Sequence, residues 1–151
     1  HHLWGMPELP RTGRLVALDW GEIRIGLAAS DETQLLASPL ATVTRRPGKR
    51  YPMPELLGHI AEAGAVGLVV GMPLTLEGNE EESAGAARQL GELVAARTGL
   101  PVEYWDERLT TAMALRSIRE QGGSTRGRRE DVDSFAASML LQGFLDARRA
   151  R

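Results

Sequence analysis

The sequence predicts an α/β fold: a mixed five-stranded sheet, three antiparallel strands followed by parallel βαβ units, with helices on both faces. Three observations point to it. Leu15-Val16-Ala17-Leu18 and Val66-Gly67-Leu68-Val69-Val70 are continuous apolar runs, the pattern of strands buried on both faces. Ile23, Ile25, Leu27 and Ala29 alternate with Arg24, Gly26 and Ala28 directly after a tight reversal at Trp20-Gly21-Glu22, which makes a hairpin with the first run. Helical periodicities then separate the later strands, as parallel crossovers require.

In chain order, Gln34 to Val43 is a third strand, placed at an edge by Pro39. Pro54 to Gly64 is a helix with Leu56, Leu57, Ile60 and Ala61 on one face. Val66 to Val70 is a central parallel strand. Asn79, with Glu82 three residues later, starts a helix that runs to about Thr98 and is closed by Gly99. Pro101 to Trp105 is a short strand that delivers Asp106-Glu107-Arg108. A further helix is expected from Thr110 or Thr111 to Gln121, then a glycine-rich basic loop from Gly122 to Arg129. The last helix, from about Glu130 to Arg149, carries Val132, Phe135, Ala136, Met139, Leu140, Gly143, Phe144 and Ala147 at helical spacing.

At 151 residues the chain is long enough for one domain with its own core. With 42% hydrophobic and 25% charged residues and a formal net charge of -2, it is neither a disordered chain nor globally basic, so any nucleic-acid contact must come from local clusters. There is no cysteine, which removes disulfides and thiolate chemistry and suits a reducing interior. No apolar run has membrane-spanning length. His1-His2 and Leu3-Trp4-Gly5-Met6 read as the remnant of a tag, with Met6 as a start residue. Residues 1–13 are therefore expected to be a disordered tail before a single domain over 14–149.

Strand order then gathers acids. If the strands ending at Leu18, Val70 and Trp105 are parallel, their C-terminal ends share one edge of the sheet, where ligands bind in open α/β folds. Asp19 ends the first strand, Asp106 and Glu107 end the last, and Asp133 lies in the first turn of the last helix, at the flank of its apolar stripe. Carboxylates without His or Cys suit hard, oxygen-preferring cations, Mg²⁺ or Mn²⁺. Two such ions about 4 Å apart serve phosphodiester cleavage. Asp131, two residues from Asp133, points about 160° away around a regular helix.

Simpler roles stand beside these. Asp133 can complement a helix dipole, as can Glu80-Glu81-Glu82. Asp31 reads as a turn residue, Glu107 as an ion-pair partner of Arg108, and His59 as structural. The basic segments Arg45–Arg50 and Arg126–Arg129 are solvated loops or, around an acidic rim, contacts to a phosphate backbone. An aromatic content of 5% favours recognition of backbone and shape over base stacking.

LVALDWGEIRIGLAASD, VVGMPLTLEG, DERLTTAMA and DVDSFAASMLLQGFL, in this order and spacing, resemble the YqgF family, also called RuvX. The resemblance runs from about Arg14 to Leu145. It implies a ribonuclease H-like fold and a divalent-metal nuclease of the bacterial cytoplasm, processing the 5′ end of pre-16S rRNA or resolving Holliday junctions. By matching motifs it implies Asp19, Glu107 and Asp133 as catalytic and metal-binding acids, with Mg²⁺ or Mn²⁺ as cofactor. Arg24, Arg45, Arg46, Lys49, Arg50, Arg108, Arg126, Arg128 and Arg129 are the expected nucleic-acid contacts. A homodimer is expected, with Leu141 as a contact outside the apolar stripe. Two alternatives are a non-catalytic nucleic-acid-binding module and an ATPase of the sugar-kinase-like fold. The second is disfavoured because 151 residues leave no room for a second lobe.

Overall fold

A computed structural model describes residues 8–46, 48, 50–73, 82–107 and 129–150. The elements are β1 (Arg14–Asp19), β2 (Arg24–Ser30), β3 (Ala37–Thr44), α1 (Met53–Ala63), β4 (Ala65–Met72), α2 (Glu82–Thr98), β5 (Val102–Asp106) and α3 (Arg129–Arg149). They form one five-stranded sheet in the order β3-β2-β1-β4-β5. β2 is antiparallel to β1 and β3, whereas β1, β4 and β5 are parallel. The mixed five-stranded sheet, with three antiparallel strands followed by parallel ones and helices between the later strands, is as the sequence predicts. The expected helix at 110–121, the loop after it and the Asn79 cap lie outside the described residues.

The apolar runs are explained by burial on both faces. Leu15, Val16, Ala17 and Leu18 are completely buried, as are Leu68, Val69 and Val70. Val16, Leu18, Ile25, Leu27, Leu68 and Val70 pack towards α1 and α2, with Leu56, Ile60, Leu90 and Val94. Leu15, Ala17, Ala28 and Val69 face the other way, onto Ala136, Leu140, Leu141, Phe144 and Leu145 of α3. Gly64 and Gly99 end α1 and α2 in left-handed conformations, φ 68° and 74°, which glycine adopts without a Cβ clash. Among the described residues no helix is long and apolar enough to cross a membrane.

Three expectations are corrected. Residues 8–13 do not form a free tail: Leu9 is only 2% exposed and packs beneath β1 and α3. The segment is held because its carbonyls find donors. Arg148, itself buried, donates from Nη2 to the carbonyls of Leu9 (2.6 Å) and Pro10 (2.9 Å), and Gln34 Nε2 donates to those of Pro10 and Gly13. Second, the buried face of α3 is rotated from the apolar stripe read in the sequence. Phe135 is 47% exposed, while Asp133, Ala137, Leu141, Leu145 and Arg148 point inward. Third, Leu141 has no exposed surface and packs in the core, so it is not a contact for a second copy.

Asp31 is the turn residue that the sequence suggests. Its Oδ1 accepts from the backbone N–H groups of Leu35 and Leu36, and its Oδ2 accepts from the Thr33 hydroxyl. The Thr33 bond first, then that from Leu36, holds the carboxyl below its ordinary value of 3.8. Because the native value is lowered, the stabilisation is complete above the ordinary value and is lost as pH falls through the native one. Urea unfolding of the wild type and Asp31→Asn should therefore differ at neutral pH and converge in strong acid. Arg148→Ala removes the cation that caps buried carbonyls and should cost about 2–4 kcal/mol, read as a lower thermal midpoint.

Candidate active site

The C-terminal edge of β1, β4 and β5 is where the sequence-predicted acids meet. Alternation decides which of them share a face. Leu15 and Ala17 face α3, so Asp19 does too. Asp106 pairs with Met72 of β4 and shares its face, the α1–α2 side. Asp106 is thereby separated from Asp19 by the sheet, and Glu107, immediately after the strand, is the acid that returns to the α3 side.

Two glycines make room for this. Asp19 pairs across β1–β2 with Gly26, and the β1–β4 register, Leu18 with Val70, brings Gly71 alongside Asp19 on the other flank. A Cβ on Gly26 would lie 2.1 Å from the carbonyl oxygen of Asp133, so the first turn of α3 rests directly on β2 backbone. A Cβ on Gly71 would lie 2.8 Å from Leu140 Cδ2 and 3.4 Å from Glu107 Oε2. Both α3 and the Glu107 side chain occupy the space that these glycines leave beside Asp19.

All three acids are buried: Asp19 and Glu107 are each 3% exposed and Asp133 is 1% exposed. One oxygen on each, Asp19 Oδ1, Glu107 Oε2 and Asp133 Oδ1, is withdrawn from water. Burying carboxylates is costly without compensating charge or hydrogen bonds. For Asp133 part of that compensation is visible: Arg24 Nε donates to Asp133 Oδ2 at 2.6 Å, a largely buried ion pair.

The donor set is oxygen only, which fits Mg²⁺ or Mn²⁺. Among the described residues no three His, Cys, Asp or Glu side chains are gathered closely enough to hold an ion by themselves. Mg²⁺ commonly keeps waters and combines one or two carboxylates with phosphate oxygens of a substrate.

The expected nucleic-acid residues divide. Arg24 starts β2 at this edge and holds Asp133. Arg45 follows β3 at the same edge; its Nη1 donates to the Gly21 carbonyl, and its guanidinium lies 5.2 Å from the Trp20 ring centroid and 4.6 Å from that of Tyr51. Trp20 Nε1 in turn donates to the Tyr51 hydroxyl. Arg46 and Arg50 are exposed nearby in sequence. Lys49, Arg108, Arg126 and Arg128 lie outside the described residues, and Arg129 is described only as backbone at the start of α3. The Asp131 side chain also lies outside what is described.

The roles of Gly26, Gly71 and the Arg24–Asp133 pair escaped the sequence reading. A signal existed for the glycines, since a glycine inside an apolar strand often marks a close backbone approach. Nothing local marks the ion pair, whose partners stand 109 positions apart.

Comparison with known proteins agrees with this architecture. The sequence profile of the RuvX family, described as Holliday junction resolvase, matches residues 13–147. A protein of Anaeromyxobacter sp. (strain Fw109-5) named "Putative pre-16S rRNA nuclease" is 42% identical over 137 residues, covering 91% of this chain and 99% of its own. A protein of the same name from Rhodococcus erythropolis is 41% identical over 143 residues, covering 92% and 81%. Among solved structures, Thermus thermophilus RuvC in complex with Holliday junction substrate is similar in fold. Its TM-score is 0.57 at 17% identity, covering 90% of this chain and 95% of that one. Taken with the ribonuclease H-like sheet and the acids at its edge, the profile match and these relatives mean that the chain belongs to the RuvX family.

Proposed function

We propose that the chain is a divalent-metal-dependent endonuclease that hydrolyses phosphodiester bonds in structured nucleic acid. The observation that supports it best is the placement of Asp19, Glu107 and Asp133, from three distant parts of the chain and all buried, at the ligand-binding edge of the sheet. These acids would hold Mg²⁺ or Mn²⁺. When bound, the metal supplies Lewis-acid stabilisation of the charge that builds on the phosphoryl oxygens.

The chain's own residues do the rest. Asp19, fixed at the end of a fully buried strand, anchors the lining. Glu107 reaches it across Gly71. Asp133 is delivered by the first turn of α3 over Gly26, and Arg24 fixes it by one oxygen. Arg24 is thus a positioning residue and balances part of the negative charge of the rim. Arg45, Arg46 and Arg50 stand where they can receive phosphates. The buried edge excludes bulk water, which strengthens each of these electrostatic contacts.

The substrate that the names of the relatives favour is pre-16S rRNA. A four-way DNA junction is the substrate class in the family's description. A second reading, a nucleic-acid-binding module without catalysis, draws support from Asp133 being engaged by Arg24.

One assay separates these readings: cleavage of a pre-16S rRNA fragment, a four-way junction and a plain duplex under Mg²⁺ or Mn²⁺. Asp19→Asn, nearly isosteric, should abolish cleavage with circular dichroism unchanged and a melting midpoint no lower than that of the wild type. Full activity in that variant would sink the assignment. Arg24→Ala should raise the Mn²⁺ concentration needed for half-maximal activity about 10–100-fold, and weaken Mn²⁺-induced thermal stabilisation to match. Arg24→Lys should recover part of both, since it restores charge without the guanidinium geometry.

A further inference from the structure

The face of the sheet away from Asp19 carries a groove of about 680 Å³ between α1 and α2. Arg45, Arg50 and Arg97 line it, together with Tyr51, Gln89 and Leu93, and among the described residues no carboxylate belongs to its lining. Three guanidiniums facing one groove select an anion. Their placement selects a long one: Arg45 follows β3, Arg50 precedes α1, and Arg97 is in the last turn of α2. Gln89, Leu93 and Arg97 recur every four residues, a stripe about 12 Å long on one side of α2.

One end of the groove, at Arg45, lies at the edge where Asp19 ends β1. Arg45 is its link, because it donates to the carbonyl of Gly21, two residues beyond Asp19. Its guanidinium is already held over Tyr51 and Trp20, so little conformational freedom is lost when it meets a ligand. Leu93, 42% exposed, offers an apolar floor between the charged ends. A duplex keeps its bases paired and stacked, whereas a single strand presents phosphates and the face of an unpaired base together.

We propose that this groove is a second nucleic-acid site, which holds the single-stranded segment flanking the cleavage point as it passes around the sheet edge from the α3 side. The inference rests on the nuclease reading for its substrate class, but concerns binding and not cleavage. It adds Arg97 and Leu93, at the far end of the domain, to the contacts, and makes a structured substrate with a single-stranded extension the preferred ligand.

The test uses the full chain carrying Asp19→Asn, and a fluorescein-labelled RNA hairpin with and without a single-stranded extension of about 10 nucleotides. Adding Arg97→Ala should weaken binding of the extended hairpin about tenfold at low salt and reduce the slope of log affinity against log salt by about 1. Arg97→Glu should weaken it further, and Arg97→Lys should retain most of the affinity. The blunt hairpin should bind all four proteins alike. Arg97 is exposed, so melting should not change. Equal losses on both hairpins, or none on either, would overturn the proposal, as would absence of binding to both. Its fate is distinct from that of the nuclease reading, which is decided by cleavage in the wild type and its loss in Asp19→Asn.

Discussion

The edge of this sheet depends on one close approach, that of the α3 backbone to Gly26. The carbonyl of Asp133 occupies the position of an absent Cβ on β2, opposite Asp19 in the strand register. That contact sets the depth of α3 on the sheet. From it follow the inward direction of Asp133, the reach of Arg24 to its carboxylate, and the seating of Leu140 over Gly71. Any side chain on Gly26 would lift the helix, and the acids would part. The site is therefore built from an absence of side-chain atoms as much as from the carboxylates themselves.

The rim also shows how a chain with near-zero net charge accommodates three buried acids. The charge of one is balanced within the protein by Arg24. All three lie at the edge where Arg24 and Arg45 stand, and on the proposed reading a cation adds to that balance. This is a costly arrangement in terms of folding stability, and one expected where function requires it.

What could be read in the sequence was whatever rests on hydrophobic pattern and strand order. Continuous apolar runs gave β1 and β4, alternation gave β2, and parallel order alone placed Asp19 and the Asp106–Glu107 pair at one edge. The choice between Asp106 and Glu107 needed the face parity set by Trp105 and Met72. The face of α3 was misjudged because its buried side contains Asp133, Ser138 and Arg148, which a count of apolar residues scores as solvent-facing, whereas Phe135, scored as core, stands half in water. Residues 8–13 have no periodicity at all. They are ordered by carbonyl–guanidinium bonds to Arg148, a long-range partner that local reading does not reach.

The Arg24–Asp133 bond joins a residue of the second strand to one in the last helix, across 109 positions. Contacts of such sequence separation are paid for by loop closure before they return any energy, so they form late in folding. A nascent chain that has emerged as far as α2 holds Asp19 alone, with neither companion acid nor the helix that covers the α3 side of the sheet. Assembly of the acidic edge is thereby coupled to completion of the fold: a chain stalled on the ribosome exposes the arginines of the first three strands well before it possesses the full set of acids.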